Sequence, residues 1–106
     1  MDDSAEAALR SARQQVISSL DDICESTRRA VRESSSDAVT VSRDRVHRLA
    51  GLAGVVGLKQ VSARALDLEA ILVQETQTPE RVDAAVEQLQ AALRADLAAP
   101  PPPWLY

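Results

Sequence analysis

His47 is the only histidine in a chain of 106 residues, and it stands in the run Val46-His47-Arg48-Leu49-Ala50-Gly51-Leu52-Ala53-Gly54. A neutral imidazole keeps a proton on one ring nitrogen and a lone pair on the other, so near neutral pH it can act as a nucleophile. At ~100° per residue the ring points about 125° away from the centre of the apolar stripe formed by Val46, Leu49, Ala53 and Val56. That direction predicts solvent exposure. On the same face lie Arg43 and Asp44 one turn before the ring, and Ala50, Gly51 and Gly54 one and two turns after it. Glycine in a helix interior costs about 1 kcal/mol relative to alanine, so two glycines here need a reason. Either another helix of the chain packs closely against Gly51 or Gly54, or a large partner must bring its own reactive group up to the imidazole.

Other chemistry finds little support. Cys24 is the sole cysteine, which excludes an internal disulfide and a thiolate metal cage, and its place on an apolar stripe reads as an inert core residue. One histidine among scattered carboxylates has no recognisable metal-ligand spacing. Without a glycine-rich phosphate loop or a kinase signature, the chain is expected neither to bind ATP nor to phosphorylate itself, and to need no cofactor of its own. The net charge is −4 and the only aromatic residues are Trp104 and Tyr106, so a nucleic-acid partner is not expected. Residues 1 to 20 lack the basic start and apolar run of a signal peptide, and no segment approaches the ~20 apolar residues of a membrane span. The expectation is a cytoplasmic monomer with no membrane contact, and Met1 together with the proline tail points to a free-standing protein.

The elements that must position His47 follow from apolar spacing. Apolar residues make up 45% of the chain and charged residues 26%, a globular balance, and the apolar ones recur at helical intervals in four blocks. In the first, Ala5, Leu9, Ala12, Val16, Leu20, Ile23, Thr27 and Val31 form a stripe, starting at Asp2, Asp3 or Ser4 and ending near Arg32. Ser34-Ser35-Ser36-Asp37 supplies a turn and the next N-cap. The second block buries Val39, Val46, Leu49, Ala53 and Val56 and closes at Gly57, a left-handed cap. Leu58, Val61, Ala65, Leu68 and Leu72 carry the third. Thr78 then caps a fourth helix that begins at Pro79 and buries Val82, Val86, Leu89, Leu93 and Leu97. Four amphipathic helices joined by short turns predict an all-α antiparallel four-helix bundle over residues 1–99. Residues 100–106, Pro100 to Tyr106, form a proline-rich C-terminal tail expected in polyproline II, with Trp104 able to dock on the bundle.

The pattern around the histidine extends through His47, Leu49, Gly51, Gly57, Leu58, Leu66 and Glu69, ordered H-x-L-x-G-x5-G-L-x7-L-x-x-E. In this the sequence resembles the histidine-containing phosphotransfer (HPt) domains of bacterial and fungal two-component phosphorelays. The close match spans His47 to Glu69, with the four-helix organisation covering most of the remainder more loosely. The resemblance implies a bundle whose exposed histidine accepts a phosphoryl group from a receiver-domain aspartate and passes it to another receiver domain. His47 corresponds to the phosphorylated histidine, Gly51 to the small residue four positions on, and Gly57 to the glycine of the central turn. Glu69 falls where the family often has a carboxylate or amide that orients the ring. Ala50 departs from the pattern, because the family usually has there a lysine that helps hold the phosphoryl group. Arg43 is the candidate substitute, with Arg48 and Lys59 behind it. The implied partner is the receiver domain of a response regulator or hybrid sensor kinase, which carries the Mg²⁺. Its docking surface would comprise Arg48, Ala50, Gly51, Gly54, Val55, Gly57 and Lys59, with Leu52 as a further apolar contact and Arg45 as a further steering charge.

Two other readings stay open. One is a non-catalytic helical adaptor that docks through a bundle face or the proline tail, with His47 incidental. The other is a degenerate family member that binds receivers without phosphotransfer, a reading that Ala50 favours.

Overall fold

Helix α1 (Asp3–Arg32) opens the computed structural model, which describes residues 3–105; Met1, Asp2, the side chain of Asp3 and Tyr106, named above, lie outside the described part. Helices α2 (Ser36–Val55), α3 (Lys59–Leu72) and α4 (Pro79–Ala98) follow, with no strand among the described residues. Each helix packs on its sequence neighbours and α1 closes the ring against α4, the arrangement of an up-down-up-down bundle. At 1.5 Å per residue, the thirty residues of α1 span about 45 Å, which accounts for the molecule's longest dimension of 46 Å. Its first turns outrun the other helices. Ala5, expected in the buried stripe, is therefore exposed, and Leu9 is only half-buried.

The core is aliphatic, as the composition requires. Val16, Leu20 and Ile23 of α1 meet Val46, Leu49 and Ala53 of α2, Val61, Ala65, Leu68 and Leu72 of α3, and Val82, Val86 and Leu89 of α4, all buried. Cys24 lies in the same core, where burial and, secondarily, the charge of Asp21 push its thiol up to about 12 from an ordinary 9.0. Two expected core positions of α4 differ. Leu93 is half-buried, packed against the edge of the core, and Leu97 is 50% exposed, because it lies past Asp96, which already sits at the first turn of α3, where α3 no longer covers α4.

Both short turns around α2 use the same device. After α1 the amide of Ser35 donates to the Ala30 carbonyl and that of Ser34 to Val31, with Ser34 at φ 54°. After α2 the amide of Leu58 donates to Ala53 and that of Gly57 to Gly54, with Gly57 at φ 80°. These are Schellman caps, which need a left-handed residue just past the helix end. Ser35 also caps α2 by accepting from the Ala38 amide. The buried guanidinium of Arg13 donates to the Val56 carbonyl, satisfying an acceptor that the end of α2 leaves open. Helix α3 has no cap of its own; Asp96 of α4 accepts from the amides of Gln60 and Val61.

The tail differs from the polyproline expectation at its end. Pro103–Leu105 form a short 3₁₀ turn, Trp104 packs half-buried against the core, and the Pro102 ring lies against the Gly57 turn.

Candidate functional site

Val46 and Leu49 are drawn into the core on either side of His47, and the imidazole between them is turned outward with 69% of its side chain exposed. On α3 the buried Leu68 sets the phase in the same way and brings Glu69 to the edge facing α2. The two meet. His47 Nδ1 lies 2.9 Å from Oε1 and 3.0 Å from Oε2 of Glu69. An ionised carboxylate only accepts hydrogen bonds, so Nδ1 must carry the ring proton and Nε2 the lone pair. Nε2 has no partner among the described residues. In the neutral ring, an ionised Glu69 thus favours the Nδ1–H tautomer and leaves the Nε2 lone pair facing outward.

The two glycines divide between the two explanations offered for them. A Cβ added at Gly54 would stand 3.3 Å from the Ser62 hydroxyl of α3, so internal packing accounts for this residue. A Cβ added at Gly51 would meet nothing within 4 Å. Nothing inside the protein asks for glycine there.

Ala50 corrects the sequence reading. Expected on the open face with His47, it is 2% exposed, because α3 comes close enough on this side for Ser62 to donate to the Ala50 carbonyl at 2.8 Å. Arg43, one turn before His47, is half-buried and has no ion-pair partner among the described residues; Arg48 and Lys59 are exposed and likewise unpaired. Arg45, by contrast, is engaged with Asp22 at 2.8 Å. Val55 is exposed, as a contact residue would be, whereas Leu52 is half-buried and lines a groove on the α1 side with Val16, Ile23, Val41 and Leu49. Gly57 and Lys59 lie at the end of the hairpin, roughly 15 Å along α2 from the ring.

Two features of this face, Ser62 and Val73, are not marked by the sequence, and the exposure of Leu66, a motif position, is a third finding. Ser62 bridges to α2, and Leu66 and Val73, one turn before and one turn after Glu69, are large apolar side chains more than half exposed. Period-3.6 reading marks them only as non-core positions; their nearness to His47 depends on how α3 docks. His47 lines none of the principal grooves among the described residues, and its ring is exposed. Among the described residues no group of three His, Cys, Asp or Glu side chains could hold a metal ion, and no helix is long and apolar enough to cross a membrane.

Comparison with curated proteins and with solved structures gives no match. A family model does match: the Hpt domain, over residues 11–99, which takes in every element that builds the site. The protein therefore belongs to the Hpt domain family, the phosphoryl carriers of two-component signalling, which engage receiver domains and have no kinase activity of their own.

Proposed function

We propose that His47 is the residue that carries the phosphoryl group, taking it from the aspartate of one receiver domain and passing it to another. The observation that carries this reading is the contact of both Glu69 oxygens with Nδ1 on an otherwise exposed ring. The Nε2 lone pair attacks phosphorus in line, the N–P bond forms, the P–O bond to the aspartyl carboxylate breaks, and that carboxylate leaves with the electron pair. Because Nδ1 keeps its proton, the ring becomes positively charged as the bond forms, and Glu69 is already in place against that charge. No proton has to move in either direction. Glu69 thus orients the ring and stabilises its phosphorylated form.

The phosphoryl oxygens need a cation as well. Ala50 supplies none, and Arg43, an unpaired cation among the described residues one turn earlier on α2, is the candidate. The partner receiver domain, in a response regulator or hybrid kinase, is taken to bring the Mg²⁺ that neutralises most of the remaining charge. An exposed ring that lies in no groove of its own suits a partner whose own cleft holds the phosphoryl group. Gly51 leaves room beside the ring, Val55, Leu66 and Val73 offer apolar contact, and Arg48 and Lys59 complement an acidic rim. Gly54, Gly57 and Ala50 serve this face through the backbone they shape. In this reading the protein works as a cytoplasmic monomer.

The test is transfer of label from a phosphorylated receiver. The parent protein is expected to gain acid-labile, alkali-stable phosphate and His47→Gln to gain none. Equal labelling of both would sink the assignment. Receiver binding without transfer would select the non-transferring reading that Ala50 favours, and neither binding nor transfer would return the adaptor.

A further inference from the structure

Helices α2 and α3 run antiparallel, and two cross-helix contacts join them on the His47 side. Gly54 lies seven residues after His47 and Ser62 seven before Glu69, two turns along each helix, so the contacts are rungs of one ladder about 10 Å apart. At the far rung the Ser62 hydroxyl enters the notch left by the missing side chain of Gly54, 3.3 Å from where a Cβ would sit, and donates to the Ala50 carbonyl at 2.8 Å. That carbonyl belongs to the turn immediately after His47. A hydroxyl seated in a glycine notch sets both how far apart the helices stand and how far one is slid along the other. The near rung, with two oxygens at 2.9 and 3.0 Å from one nitrogen, is a geometry that tolerates little change in either.

We propose that Gly54 and Ser62 are positioning residues, a spacer that holds α3 in the register at which Glu69 meets His47. The consequence for transfer rests on His47 being the phosphoryl acceptor; the positioning itself is a property of the unphosphorylated protein. Ser62 is half-buried and does not need to touch a partner. The same close approach covers Ala50, so the absence of a long side chain at position 50 and the orientation of His47 have one structural cause.

The ring ¹⁵N spectrum of His47 distinguishes an Nδ1–H tautomer from a mixture, and the parent is expected to show the former. Ser62→Ala should move the spectrum towards a mixture and slow transfer from a phosphorylated receiver about three- to tenfold, the range one net hydrogen bond supports. Gly54→Ala would bring a Cβ to 3.3 Å from the hydroxyl, pressing it by a few tenths of an ångström away from its seat, and should shift the spectrum and the transfer rate in the same direction as Ser62→Ala, by a smaller amount. In the Ser62→Ala background it should cost nothing more, since the added Cβ then lies 3.9 Å from the Cβ of residue 62. With Glu69→Ala already present, Ser62→Ala should no longer affect transfer. Circular dichroism identifies any variant that has lost the bundle, and the paired backgrounds keep the comparison within folded proteins. A ring spectrum unchanged by both single substitutions would overturn the proposal, as would a full effect of Ser62→Ala on transfer without Glu69. Failure of the parent to accept phosphate would refute the acceptor role alone, because the ring spectrum still decides the positioning.

Discussion

Gly51 and Gly54 sit three residues apart on one helix and answer to different demands. The notch at Gly54 is filled by Ser62, whereas the space at Gly51 is open, so the helix gives up stability at Gly51 with no internal return. Replacing Gly51 with alanine should accordingly stabilise the fold by about 0.5–1 kcal/mol, seen as a higher midpoint of thermal or urea unfolding. If a receiver docks on this face as proposed, the same methyl group stands in its approach to the ring, and transfer from a phosphorylated receiver should slow. Opposite signs in the two measurements are the expected outcome; a stabilised variant with unchanged transfer would show that the open space at Gly51 is not used. At this scale the sequence was legible in part. The direction of His47 follows from the phase of Val46 and Leu49 alone, and Glu69 was reached through motif spacing. Ala50 was misjudged because a helical wheel measures angle from the helix's own stripe, and which flank of that stripe a neighbouring helix covers is a tertiary fact.

The elements were legible where their signals are local. Ser35 as N-cap, Gly57 as left-handed cap and Pro79 as first residue of α4 all act within a few residues of chain, and each stands where its type predicts. Helix α3 has no such signal at its start. Leu58 is its N-cap residue and its side chain offers no acceptor, so the amides of Gln60 and Val61 depend on Asp96, more than thirty residues away and on another helix. A carboxylate there also opposes the positive end of the α3 dipole. Asp96→Ala should therefore destabilise the bundle by about 1–2 kcal/mol, the cost of an N-cap, although Asp96 is itself half-exposed on the surface. Equilibrium urea unfolding checks this. Fraying at the start of α3 should raise amide hydrogen exchange most at Gln60 and Val61, and much less at Glu69, which the Ser62 and His47 contacts hold from the other side. Uniform loss of protection along α3 would mean that Asp96 holds the whole helix rather than its first turn.

Across the whole molecule, the long helix is tied at two places to elements that follow it in the chain. Near its end, Arg28 and Arg32 reach Asp83 of α4 at 3.2 and 3.3 Å. Nearer its start, Arg13 holds the carbonyl at the end of α2 beside the turn on which Pro102 rests. The partly exposed Arg–Asp83 pairs contribute little each, so the aliphatic core must supply most of the stability, with Trp104 packed against it. The composition of the tail announced an extended segment; its docking depends on a seat made by α1 and the Gly57 turn, which only the assembled bundle provides. That seat makes Trp104, the sole tryptophan, a natural reporter. Its emission should be blue-shifted in the native protein and should move to longer wavelength in the same urea transition as the loss of helical circular dichroism, because the tail's seat disappears when the bundle does. Trp104→Ala should lower stability by about 1–2 kcal/mol, less than for a fully buried aromatic, and thus lower Tm by roughly 5–10 °C in a domain of this size. A tryptophan transition at lower urea than the helix transition would instead identify the tail as a separately releasable segment, and would return to it the role of partner ligand that its composition allows.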